Sequence, residues 1–489
     1  MKKSLILLIL FPLAFSVKAE PAFDKYFSGN TMRVDFFMTG DSEELTISPD
    51  QIYREGRWPG NPDRLIDRLN NGNYYIKIYS LIDNKLIFSK GFNCIFGEYQ
   101  TTSPAKEGEK RTFIETVRFP YPESPFTLVI EKRNRKNILE PVFSRTIDPD
   151  NENIIREEPD PRDQVYNVLK NGDPRKKVDL VFIAEGYTAK EWGKFKKDAD
   201  HFTEVLFRAE PFKSHEHLFN VYGAFRPSVE SGVDHPTRQI FRNTSLDASF
   251  NALNLPRYLL VGDRIAMRDV ASVVPYDAII VMANTERYGG GGIYNNYTIF
   301  TADDGRSETT FMHELGHGFG GLADEYFSST VSYEDYYPEG VEPTESNITA
   351  LLDTNQIKWE EHLSPDIPVP TPWGQDKIMK LRDQQEANKE EMKEKIEKLI
   401  NEGASEDDKN GIREQYSEMN DSLDREVEQI RDKYRRKYEG KIGVFEGAGY
   451  QAKGLYRSEI GVHMFDSEDF TYGPVSEAAI MKVIRRYTE

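Results

Sequence analysis

The chain has 489 residues, more than one hydrophobic core organises, so two or three domains are expected. A formal net charge of −19 repels phosphate backbones and argues against nucleic acid as a partner. Hydrophobic residues make up 38% and aromatics 12%, enough to fill sizeable cores.

The first segment, MKKSLILLILFPLAFSVKA, has basic Lys2 and Lys3, an apolar run over 5–15 and small residues at Val17 and Ala19. That is the pattern of a secretory signal peptide over 1–19, with Glu20 as the expected first mature residue. The run is too short for a membrane anchor, so a secreted or periplasmic protein is expected. Cys94 is the single cysteine, which excludes an intrachain disulfide.

Residues 20–150 are expected to form an N-terminal β-sandwich domain. MRVDFFM, YYIKIYSLI, KLIFSKGF, TFIETVRF and FTLVIEK are short and rich in β-branched and aromatic residues, with turn clusters such as NNGN between them. The acidic, proline-containing IDPDNENIIREEPDPRD lacks periodicity. It reads as a linker, placed at 151–175.

Residues 176–489 are expected to form an α/β domain. VDLVFIAEG is a strand of the buried parallel type. Next, Trp192, Phe195, Ala199, Phe202 and Leu206 recur at helical spacing. NVYGAFRP, DAIIVMAN and YTIFTA are further strands. Residues 375–440 read as a helical-hairpin insertion. One charged helix ends at Gly403, and Ser405 with Asp408 forms a capping box. A second helix then repeats Ile412, Tyr416, Met419, Leu423, Val427, Ile430, Tyr434 and Tyr438 along one seam. Charge runs are usually solvated faces, so the hairpin reads as an insertion without chemistry. The alternative is an arm that selects a substrate or partner.

TTFMHELGHGFGGLADEY, at 309–326, carries the chemistry. His313 and His317 are four residues apart on one helix face and can bind one zinc ion. Glu314 is placed to take a proton from a zinc-bound water and pass it to the leaving amine. Ser307 is the expected helix cap, and Gly320-Gly321 the expected stop. In the broad metzincin class the third ligand lies six residues after the second histidine. Here that residue is Ala323, which cannot bind metal. Asp324 is the expected ligand, because the glycine pair can absorb one extra residue. Glu325 stands next, and an acidic pair that only orients the histidines is the other reading.

Four glycines over 289–292 precede a short strand and suggest a rim along which a peptide can add as a strand. Asp303-Asp304-Gly305 reads as a turn rather than a calcium loop. No G-x-S-x-G is present, and His201, His215, His217, His235 and His362 show no ligand spacing.

Together these segments resemble the IgA peptidase family of secreted bacterial zinc metallopeptidases. TMRVDFFMTG, GRWPGNPDRLID and KGFNCIFGEYQTT look like its N-terminal β domain. VDLVFIAEGYT, YGGGGIYN, HELGHGFGGLADEY, VPTPW, GVFEGAGY and GLYRSEIGVHMF look like its peptidase domain. The resemblance implies a metzincin-like fold, with zinc on His313, His317 and Asp324 and Glu314 as the catalytic glutamate. It also implies a Met-turn methionine at Met464. Tyr456 and Arg457 are further candidates for holding substrate, and His463 is not expected to be a ligand. The implied function is a secreted zinc endopeptidase acting on protein or peptide. A catalytically silent zinc-binding scaffold and a zinc amidase acting on cell-wall peptide are the alternatives. The family name does not specify the substrate.

Overall fold

A computed structural model describes residues 20–489, apart from 157, 328–335 and 465–469. The expected signal peptide lies outside the described residues. Strands β1 (Phe27–Gly40), β2 (Leu45–Arg57), β3 (Tyr74–Ser80), β4 (Leu86–Phe92), β5 (Arg111–Pro122), β6 (Phe126–Arg133) and β7 (Leu139–Ile147) form the N-terminal region. They make two antiparallel sheets, ordered β2-β1-β5 and β4-β3-β6-β7. Met32, Val34, Phe36 and Met38 alternate along β1, and Ile76, Ile78, Leu128 and Ile130 along the second sheet. All eight share one buried cluster, as the two-residue period of a strand requires. The opposite face of β1 carries buried charge, with Arg33 and Asp35 only 1% and 0% exposed. Arg33 there pairs with Asp269 of the larger region at 2.7 Å.

The larger region is built on β8 (Gln164–Leu169), β9 (Val178–Glu185), β10 (Phe219–Phe225), β11 (Ala278–Ala283), β12 (Gly290–Ile293) and β13 (Tyr297–Thr301). The sheet order is β12-β13-β11-β9-β10-β8. The four central strands are parallel, and both edges, β8 and β12, are antiparallel. All eight residues of β9 are buried, since apolar clusters cover both of its faces. The helix Trp192–Leu206, the helix Ser307–Gly318 and the C-terminal helix Pro474–Thr488 contribute to one of those clusters.

The stretch expected as a linker is structured. Ile154 is buried in the N-terminal core, Ile155 bridges Tyr53, and β8 lies within 151–175. That strand has no fully buried side chain, so it leaves little hydrophobic pattern to read.

Two long helices, Gln375–Asn401 and Glu406–Tyr438, form the hairpin, with the capping box at Ser405 and Asp408 in place. Tyr416, Val427, Ile430 and Tyr438 are buried along the seam, whereas Met419 is 40% exposed. Polar pairs replace apolar packing near it. Asn388 donates to Asn420 at 2.9 Å, and Gln385 donates to the Asn420 carbonyl at 3.1 Å. A last small sheet contains β14 (Ile348–Thr349), β15 (Phe445–Ala448) and β16 (Gln451–Arg457), in the order β14-β16-β15.

Candidate active site

The helix Ser307–Gly318 packs against β12 and β13. Ser307 is not its cap: it sits in the first turn, buried, and Arg306 occupies the cap position without a side-chain bond. Asp304 does the holding instead. Its carboxylate accepts from Arg306 N at 2.9 Å, and its carbonyl accepts from Ser307 N at 3.0 Å. Asp303-Asp304-Gly305 therefore serves as the turn that starts the helix, with Asp303 paired to Lys194 at 2.8 Å.

The helix ends where Gly321 N donates to the His317 carbonyl at 3.1 Å and Leu322 N to the Gly316 carbonyl at 3.0 Å. Gly321 has φ +63°. A Cβ there would stand 2.8 Å from the Tyr294 ring, so both backbone conformation and space call for glycine. The reversal returns the chain to the histidines, where Asp324 meets them.

His313 Nε2 lies 3.0 Å from Asp324 Oδ1, and His317 Nε2 lies 3.3 Å from the same oxygen. The two Nε2 atoms are 3.2 Å apart. His313, His317 and Asp324 thus offer three ligand atoms within 4.8 Å of one another. Asp324 Oδ1 is buried and accepts no hydrogen bond among the described residues. Burial opposes protonation of His317, but Asp324 outweighs it and holds the imidazole pKa at about 9. Burial likewise raises Asp324, yet the two histidines hold it well below the usual carboxylate range. The trio favours positive charge at its centre.

The other ring nitrogens fix the orientation. His317 Nδ1 donates to the Leu322 carbonyl at 2.7 Å, and His313 Nδ1 to the His463 carbonyl at 3.4 Å. Such bonds set the tautomer that leaves Nε2 available to a metal. Tyr450 donates its hydroxyl to Asp324 Oδ2. Glu325 turns elsewhere. Its Oε1 accepts from Asn347 at 2.9 Å, and burial raises its carboxyl against the pull of Asn347 and Arg457.

His313, His317, Asp324 and Tyr450 line a cleft of about 460 Å³ together with Glu314, Tyr258, Tyr288 and Tyr326, and Glu325 is not among its lining residues. Burial raises the Glu314 carboxyl, partly offset by the neighbouring histidines. The glycine run forms the wall beside it as edge strand β12. A Cβ on Gly290 would stand 2.9 Å from Glu314 Cγ, and one on Gly292 would stand 2.8 Å from His317 Cβ. Only glycine lets this strand approach so closely.

His463 also lines the cleft, but its ring centroid is 5.9 Å from that of His313 and its carbonyl makes the contact. Met464 is fully buried beneath the helix, where a Cβ on Gly316 would stand 2.8 Å from its sulfur. Tyr456 and Arg457 are not among the cleft-lining residues. Arg457 is buried and donates to the carbonyls of Glu446 and Gly447, which corrects the reading of it as a substrate holder. Asn347 and Arg257 carry no motif, and Tyr450, the last residue of GVFEGAGY, has no ligand signature of its own. They join the site only because β15, β16 and distant loops fold over it. The hairpin also reaches the cleft, through Arg431 and Arg435.

No individual curated protein matches the chain. The family model described as IgA Peptidase M64 matches residues 166–484. The model described as Peptidase M64 N-terminus matches residues 22–144. Between them they cover both the paired N-terminal sheets and the region that gathers His313, Glu314, His317 and Asp324, and the chain belongs to the IgA peptidase M64 family.

Proposed function

We propose that the protein is a zinc-dependent endopeptidase that hydrolyses protein or peptide substrates outside the cytoplasm. One observation carries the reading: His313, His317 and Asp324 converge on a single point inside the cleft that also holds Glu314. Two imidazoles and a carboxylate are a donor set suited to catalytic zinc. The fit is supported by Asp324 Oδ1, a buried acceptor facing two Nε2 atoms with no hydrogen bond of its own.

Zinc held there would supply Lewis acidity toward the scissile carbonyl and make water a stronger acid. Glu314 takes the proton of the attacking water and delivers it to the leaving amine. Burial raises its carboxyl pKa, the direction that suits a group that must both accept and return a proton. The Gly290 carbonyl on the edge of β12 already accepts from Leu259 N at 3.4 Å, so an extended peptide would lie along the strand beyond that contact. On this reading the larger region is a metzincin-like domain and the two N-terminal sheets are a β-sandwich. Secretion rests on the signal-like sequence at 1–19. Among the described residues no helix is long and apolar enough to cross a membrane.

The test uses residues 20–489 and a Glu314→Ala variant, each loaded with zinc and incubated with a proteome-derived peptide library. New termini that vanish in the variant are expected. Equal products from both proteins, with zinc bound in both, would favour a silent zinc-binding scaffold or an amidase with a different substrate.

A further inference from the structure

The helical hairpin reads from sequence as a solvated insertion, yet its second helix forms part of the cleft wall. Arg431 and Arg435 both line the cleft that holds His313, His317 and Asp324. They are four residues apart on Glu406–Tyr438 and so share one face. The wall is anchored. Val427, Ile430 and Tyr438 cluster with Phe327, Trp373 and Phe445, and Phe327 is three residues beyond Asp324. Gly374, before the first helix, lies so close to the Tyr434 ring that a Cβ would stand 2.5 Å from it.

Simpler roles do not account for the placement of Arg431. Cations in the last turn of a helix complement its dipole, and Arg435 lies in that turn, but Arg431 does not. Arg431 pairs with Glu428 at 2.9 Å, with side chains 24% and 54% exposed. Such pairs contribute little. Its Nε is buried and has no hydrogen-bond partner among the described residues.

The cleft carries charges of both signs, and Arg257 acts on Tyr326, Tyr288 and Asp324 at the site itself. The acids Glu98 and Glu345 both act on Tyr336, and Tyr336 contacts Asn73 of the N-terminal region at 3.5 Å. The hairpin arginines gather elsewhere. Arg431 acts on Arg457, and Arg435 Nε is 3.8 Å from where a Gly461 Cβ would stand, beside His463. In a chain of net charge −19, basic side chains on the wall of the cleft that holds the metal site run against the general charge.

We propose that Arg431 and Arg435 form a carboxylate-binding subsite, so that the enzyme prefers peptides bearing Asp, Glu or a free C-terminal carboxylate near the scissile bond. The planar guanidinium fork matches a carboxylate in two parallel hydrogen bonds. The inference rests on the peptidase reading and adds a substrate class to it. The arginines are specificity residues and take no part in the bond-breaking step.

The experiment uses residues 20–489 loaded with zinc and matched fluorogenic peptides based on a cleaved sequence. One pair replaces Glu by Gln at each position around the scissile bond. A second pair compares a free with an amidated C-terminus. The two pairs distinguish a side-chain carboxylate from a terminal one. The wild type is expected to favour the acidic member in kcat/KM by about tenfold or more, as for a hydrogen-bonded charge. Arg431→Ala/Arg435→Ala brings that ratio close to one, Arg431→Lys/Arg435→Lys restores part of it, and added salt lowers it in the wild type. Arg431→Gln alone provides the same reading should the double variant not fold. A wild type that treats both members alike overturns the proposal. So does an unchanged ratio in a variant with wild-type zinc content and melting temperature. Absence of any Glu314-dependent cleavage overturns the peptidase reading instead.

Discussion

Tyr450 reaches Asp324 from a turn held in an uncommon conformation. Its φ is +65°, a left-handed value that non-glycine residues rarely adopt. Gly449 N donates to the Asp324 carbonyl at 2.9 Å, and Tyr450 N to the Tyr326 carbonyl at 3.0 Å. The hydroxyl takes Asp324 Oδ2 and so leaves Oδ1 facing the histidines. Tyr450→Phe is expected to weaken zinc binding by about 10- to 100-fold, the usual cost of losing a partner behind a ligand. Competition against a chelator measures it, and unchanged affinity would refute the assigned positioning. Asp324→Ala is expected to abolish stoichiometric zinc, whereas Glu325→Gln retains it, because Glu325 bonds Asn347 instead. Metal analysis of the two variants decides between adjacent carboxylates that the sequence alone does not separate. The histidine pair was legible because helical spacing is local. Choosing Asp324 over Glu325 depends on the Gly321 reversal, and Tyr450 lies more than a hundred residues downstream, in the GVFEGAGY segment, where nothing local points to Asp324.

At the level of elements, the hairpin was readable from its seam and its capping box, but its contact with the cleft was not. Periodicity identifies a buried face and is silent on what lies across from it. Ile378 is fully buried where the hairpin joins the body. Ile378→Ala is expected to cost about 2–5 kcal/mol and to raise hydrogen exchange in both hairpin helices. Exchange confined to the hairpin tip would argue against that anchor. At the base of the parallel sheet, Asp179 N donates to Asp277 at 2.9 Å, and Asn220 donates to Asp179 at 2.8 Å. Burial raises both carboxyls. The charge of Asp277 raises Asp179 further, while Lys90, Arg118 and Arg486 oppose the rise at Asp277. A carboxyl with a raised folded pKa holds its proton more tightly folded than unfolded. Its contribution to stability is full below the ordinary carboxylate range and fades as pH rises through the raised value. Unfolding free energy is therefore expected to fall as pH climbs from the ordinary carboxylate range to about 8 and to level off above it, and Asp179→Asn should flatten that slope. A denaturant series across pH would show it. An identical slope in the variant would rule the pair out as its source.

Across the whole molecule, the N-terminal sheets are part of the site's framework. Arg264 pairs with Glu115, their side chains 8% and 1% exposed. Asn296 also donates to Glu115 at 2.9 Å. Asn93 N donates to the Tyr294 carbonyl at 2.9 Å, and Asn295 donates to the Gly91 carbonyl at 2.7 Å. Tyr294, Asn295 and Asn296 form the turn between β12 and β13, so the edge strand beside Glu314 is held from the other region. Glu115→Ala strands a buried guanidinium and is expected to cost about 3–5 kcal/mol. A loss under 1 kcal/mol in chemical denaturation would mean that the regions are only loosely joined. The sequence marked two regions through their different periodicities. It did not reveal that they are joined by buried charge, because such residues read as surface when taken one at a time.

Binding of one zinc ion by His313, His317 and Asp324 underlies every step of the proposed reaction. Anomalous diffraction at the zinc edge, from crystals of residues 20–489 grown with zinc, tests it most directly. A single strong peak is expected about 2.0–2.2 Å from the two Nε2 atoms and an Asp324 oxygen, retained in Glu314→Ala. A peak centred on Glu325 or His463, or no peak within the cleft, would contradict it.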